Sequence, residues 1–73
     1  MAIYQAYYRG NLDGNVAETN TLIVAPNNGL AVALARHYLP PEFKEKGIKE
    51  SESKLVRLVK KSNGKEIREV PLG

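Results

Sequence analysis

Cysteine is missing from all 73 residues, which removes disulfides, thiolate metal ligands and cysteine nucleophiles together. Tryptophan is also absent, and His37 is the single histidine, too few for a His-ligated zinc centre within one chain. Long apolar runs are lacking as well. Leu30 to Ala35 and Leu22 to Pro26 are the longest, far short of the roughly 20 residues a membrane-spanning helix needs. The start, Met1-Ala2-Ile3-Tyr4-Gln5, has neither the basic region nor the apolar stretch of a secretion signal. The expected compartment is therefore the cytoplasm, with no membrane partner.

Catalytic patterns are equally sparse. Glu42, Glu45, Glu50 and Glu52 alternate with lysines, as on a solvated surface, whereas acid–base work needs carboxylates in an apolar or charge-coupled setting. Ser51, Ser53 and Ser62 lack the glycine spacing of a nucleophile elbow. His37 follows the apolar spacing of its segment and reads as a boundary residue packed beside Tyr38. Asn27-Asn28-Gly29 matches neither the Walker nor the dinucleotide fingerprint and reads as a helix cap. The expectation is a non-catalytic protein with no cofactor and no evident small-molecule substrate.

A chain of this length forms one domain. Domains near this size bury only about 60% of their unfolded surface. With disulfides and metals excluded, oligomerisation is the remaining external aid to stability.

Residues 3–9 alternate with period two. Tyr4, Ala6 and Tyr8 fall on one face, and Ile3, Gln5, Tyr7 and Arg9 on the other. Turn formers follow over residues 10–15, and Asp13-Gly14 is a hairpin signal. Residues 17–25 complete a predicted hairpin over 3–25, stopped by Pro26. The next segment, 28–39, reads as a helix. Leu30, Ala33, Leu34, His37 and Tyr38 recur at helical spacing, and Pro40-Pro41 ends it. Pro41 can open a short extra turn closed by Gly47. Residues 44–54 are polar apart from Ile48 and read as an exposed connection.

Residues 54–70 form a second predicted hairpin around Ser62-Asn63-Gly64. Two registers compete. A two-residue Asn-Gly loop sets Lys60 opposite Ile67. A three-residue loop with Gly64 left-handed sets Val59 opposite Ile67, Val56 opposite Val70, Lys60 opposite Glu66 and Arg57 opposite Glu69. Matched cross-strand pairs contribute roughly 0.2–1 kcal/mol each, so side-chain pairing favours the three-residue loop. The predicted architecture is α+β with order ββαββ, an antiparallel sheet carrying the Leu30/Leu34/Tyr38 side of one helix on one face.

Two surfaces stand out. If the helix covers one sheet face, the other presents tyrosines, with Tyr4, Tyr7 and Tyr8 as candidates for a protein interface or self-association. Charge marks the second. Residues 1–53 carry five basic and six acidic groups, whereas residues 54–73 carry six basic groups and two acidic ones. Lys54, Arg57, Lys60, Lys61, Lys65 and Arg68 form a basic hairpin that would suit phosphate contacts with nucleic acid. Lysines guarding an exposed edge strand explain the same pattern. The favoured expectation is a protein-binding or self-associating module acting through an open sheet face or edge strand, with nucleic-acid binding as the alternative.

Overall fold

The computed structural model describes residues 1–72. It is an α+β arrangement of β1 (Ala2–Leu12), β2 (Asn15–Ala25), α1 (Asn28–Arg36), α2 (Pro41–Glu45), β3 (Ser53–Ser62) and β4 (Lys65–Glu69). The four strands form one antiparallel sheet in the order β2-β1-β3-β4, with the helices on one face. β1 and β2 have 11 residues each, or about 36 Å at 3.3 Å per residue, and this sets the 36 Å long axis of the molecule.

The first hairpin is longer than its sequence predicts. Only Asp13 (φ +52°) and Gly14 (φ +83°) leave the extended region, the two-residue turn whose twist suits paired strands. Gly10 is a strand residue, placed there by packing. A Cβ on Gly10 would stand 2.9 Å from Phe43 Cε2 and 3.0 Å from Ile48 Cγ2. Those two side chains come from the short helix α2 and its exit. Pro41 occupies the first turn of α2. The amides of Gly47 and Ile48 then bond back to the carbonyls of Lys44 (3.1 Å) and Phe43 (2.9 Å), a Schellman closure with Gly47 at φ +82°. Residues 44–54 are thus anchored through buried Ile48 and include a 3-10 turn at Glu50–Glu52.

The orientation of α1 differs from expectation. Its buried side is Ala31 and Ala35, while Leu30, Leu34 and Tyr38 are 46%, 47% and 37% exposed. Tyr4 and Tyr8 cause this. Both are core residues at 0% and 2% exposure, and their rings fill the space between sheet and helix. Tyr8 Oη donates to the Ala35 carbonyl at 2.7 Å, and Tyr4 Oη donates to Asn28 Oδ1 at 2.7 Å. Side chains as small as alanine are what remain room for above two such rings. Asn27 caps the helix start, its Oδ1 accepting from the Leu30 amide at 2.9 Å.

The second hairpin also departs from prediction. Asn63 (φ +52°) and Gly64 (φ +78°) are both left-handed, so the loop has two residues, not three. Lys61 pairs with Glu66 and Ser62 with Lys65, but Lys60 pairs with Arg68, leaving Ile67 as an exposed bulge. The expected pairs Val59–Ile67, Val56–Val70 and Lys60–Glu66 do not form. The core decides the matter. The bulge brings Val70 beside Leu58, with a Val70 N–H bond to the Leu58 carbonyl at 2.9 Å, and both side chains are buried on the helix-covered face. A second irregularity, between Tyr7 and Tyr8 of β1, loops out Val56 of β3.

The two sides of α1 should respond oppositely to substitution. Ala35→Leu overpacks the tyrosine layer and is expected to cost about 1–3 kcal/mol. Leu34→Ala should change stability by no more than about 0.5 kcal/mol, as for other surface positions. Urea unfolding of the two variants checks this. Burial, with a smaller contribution from Tyr38, raises the Tyr8 pKa from 10.0 to about 12. The neutral phenol is the form the fold favours, so its contribution is whole below the unfolded pKa. Stability is expected to fall as pH rises from 10.0 toward about 12. Tyr8→Phe should flatten that alkaline loss in thermal melts.

Candidate functional site

Among the described residues no helix covers the second face of the sheet. Strand alternation and register place Ile3, Gln5, Tyr7 and Arg9 there from β1, Val16 to Val24 at even positions from β2, and Arg57, Val59 and Lys61 from β3. This face has two regions. At one end Ile3, Leu22 and Val24 make an apolar strip, 47%, 57% and 55% exposed. Ile3 lies directly opposite Val24.

The other region is polar and internally satisfied. The Arg57 guanidinium lies 5.3 Å from the centre of the Tyr7 ring, pairs with Glu69, and stands 3.8 Å from Glu66. Tyr7 Oη donates to Glu66. That hydrogen bond is the main reason the Tyr7 pKa is raised, with desolvation and the Glu66 charge adding to it. The Arg57 pKa is raised chiefly by its bond to Glu69. These pairs are exposed and screened by solvent, so they add little to stability. Their main effect is to occupy the groups involved. A chain of hydrogen bonds also crosses three strands. Lys61 Nζ donates to Gln5 Oε1 at 3.3 Å, and Gln5 Nε2 donates to Asn20 Oδ1 at 2.7 Å.

The residues singled out from sequence are thus separated. Tyr4 and Tyr8 face the helix and are buried, so they are removed as interface residues. Tyr7 alone stands on the open face, beneath Arg57. The basic residues do not form one patch. Arg57, Lys61 and Lys54 belong to the open face, while Lys60 and Arg68 sit opposite each other on the other face. His37 is an exposed residue at the C-terminal cap of α1. Among the described residues no group of three or more His, Asp or Glu side chains is placed to hold a metal ion.

The two edges of the sheet differ in how they are protected. The outer edge β4 carries Lys65, Glu66, Arg68 and Glu69 and is broken by the Ile67 bulge. Charges and bulges are devices that keep an edge from pairing. The outer edge β2 is regular over Asn15–Ala25 with Glu18 as its single charge, and Glu18 is tied to Arg9 at 3.4 Å. Its backbone is presented outward. The pair Leu12–Asn15 flanking the turn is hydrogen-bonded in a two-residue hairpin, and pairs alternate from there. Val16, Glu18, Asn20, Leu22 and Val24 therefore direct their N–H and C=O groups away from β1. The sequence signal was the absence of any lysine or arginine between Arg9 and Arg36.

Replacing the Glu66 carboxylate tests the polar region. In Glu66→Gln the Tyr7 phenol loses both a charged acceptor and a repelling charge, and its pKa should move back down toward 10.0. A spectrophotometric or NMR titration of Tyr7 in the two proteins reads the change. Compared with known protein families, with curated proteins and with solved structures, the chain finds no match.

Proposed function

We propose that this chain is a non-catalytic protein-binding module that takes an additional strand along β2. The contrast between its edges carries this reading. β4 is defended by charge and bulge, whereas β2 offers a row of outward amides and carbonyls with one charge, Glu18, paired with Arg9. An exposed edge of this kind recognises an extended segment through main-chain hydrogen bonds, with neighbouring side chains adding selectivity. The Ile3/Leu22/Val24 strip lies beside that edge and adds apolar area to such a contact. The leucines of α1 are a second exposed apolar surface, but helical backbone groups are already paired and add no main-chain recognition.

Nucleic-acid binding through the hairpin of β3 and β4 has less support. Its cations are divided between the faces, Arg57 is held by two carboxylates, and Lys61 is bonded to Gln5. The Tyr7 ring is covered by Arg57 and is not free to stack on a base. Among the described residues no helix is long and apolar enough to cross a membrane, and a cytoplasmic location is part of this proposal.

Val16→Lys combined with Val24→Lys puts two cations on the β2 edge, the defence that β4 already has. The variant should retain the far-ultraviolet circular dichroism and melt within a few degrees of wild type, because both positions are exposed. It should lose association, whether with itself or with a captured protein, in sedimentation and affinity capture. Unaltered association in the folded variant would overturn the reading.

A further inference from the structure

We infer that the strand added to β2 is the β2 strand of a second copy of this chain, antiparallel about a two-fold axis at Asn20. This rests on the strand-addition reading and names its occupant. β2 runs from Asn15 to Ala25, so its middle residue is Asn20, and a two-fold axis there lets every residue of the strand find a mate. On the open face Val16 then faces Val24 of the second copy, and Asn20 faces Asn20. On the helix-covered face Thr19 faces Thr21 and Ala17 faces Ile23. β-Branched and hydroxyl pairs of this kind are favourable across strands.

Two carboxylates stand at this edge, Glu18 on the open face and Glu42, bonded to Thr19, on the helix-covered face. Glu18 faces Leu22, not its own mate. The two Glu18 carboxylates lie four residues apart along the ladder, about 14 Å at 3.4 Å per residue. That exceeds the screening length of about 8 Å at physiological ionic strength, and each Glu18 already has Arg9 at 3.4 Å. The hydrogen-bond chain Lys61–Gln5–Asn20 ends at this axis. Asn20 Oδ1 accepts from Gln5, and among the described residues its amide nitrogen donates to no protein group. At the two-fold axis that nitrogen meets the Asn20 amide of the second copy, so the chain continues into the other subunit.

Closure favours a second copy over a foreign strand. Pairing β2 with β2 joins two four-stranded sheets into one of eight. Both ends of that sheet are β4, the defended edge. The contact is isologous, uses up the undefended edges, and stops at a dimer. A foreign strand would leave its own outer edge in place of the one it covered.

The absence of cysteine allows a direct test on the full chain. Across a hydrogen-bonded antiparallel pair Cα atoms are about 5.5 Å apart, within the span of about 4.4–6.8 Å that a disulfide bridges. Asn20→Cys should therefore form a disulfide dimer under mild oxidation much faster than a Lys65→Cys control. Val16→Cys alone and Val24→Cys alone should not, whereas an equimolar mixture of the two should cross-link. Wild type should sediment as a dimer, and Asn20→Lys, which sets like charges together at the axis, as a folded monomer. A wild-type protein that stays monomeric at millimolar concentration, or one that cross-links no faster at position 20 than at 65, overturns the self-pairing. If that monomer captures another protein and loses it with Val16→Lys and Val24→Lys, the second copy is rejected while strand addition at β2 stands.

Discussion

Tyr4 and Tyr8 stand between the sheet and α1, and the remaining geometry follows from their height. A buried aromatic ring removes about 150–250 Å² from water, worth roughly 4–6 kcal/mol at 25 cal/mol per Å². Two such rings are a large share of the driving force in a domain whose net stability is expected to be about 5–15 kcal/mol. Each ring also ends in a hydroxyl that must be satisfied once buried. Tyr8 meets the Ala35 carbonyl near the helix end, and Tyr4 meets Asn28 at its start. The contacts span about 10 Å of helix and about 13 Å of strand, so α1 is tied to β1 at both ends.

Ring height sets which side of the helix can approach. Alanines at 31 and 35 fit above the rings, and the leucines are turned to solvent. The same demand on the covered face explains both sheet irregularities. Val56 is looped out of β3 so that Leu55 and Leu58, an odd number of residues apart, can both face the helix layer. Ile67 is looped out of β4 so that Val70 can join them. Each bulge gives up one regular pairing to bring an apolar side chain under cover. Gly10 serves the same layer by leaving room for Phe43 and Ile48.

The open face is organised by contrast, with no helix to satisfy. Its polar half is closed on itself through Tyr7, Arg57, Glu66 and Glu69, which leaves few groups for a charged ligand. Its apolar half lies against the edge that has no bulge and a single charge, Glu18. The unsatisfied features of the molecule, outward backbone groups and uncovered aliphatic side chains, therefore coincide along β2. Strand pairing satisfies both, because it supplies main-chain partners and apolar contact in a single element.

Local signals in the sequence determined the elements. Period-two alternation marks β1, Asp13-Gly14 and Asn63-Gly64 supply the left-handed turn residues, Asn27 caps the start of α1, and Pro41 and Gly47 open and close α2, although α1 ends at Arg36, three residues short of the predicted 28–39. From these follow the ββαββ order and the separation of Tyr4, Ala6 and Tyr8 from Tyr7. Only the tertiary structure decided which face each element buries and which strands lie outside. Helical spacing identifies an apolar stripe at Leu30, Leu34 and Tyr38, but cannot reveal that two tyrosines already fill the space that stripe would need. Cross-strand pairing scores favour a three-residue loop, but omit the gain from bringing Val70 to Leu58. The absence of lysine in β2 is plain in the sequence. It gains meaning only when long-range pairing of β1 with β3 leaves β2 at the edge, because an undefended strand is exposed to partners only where no neighbour covers it.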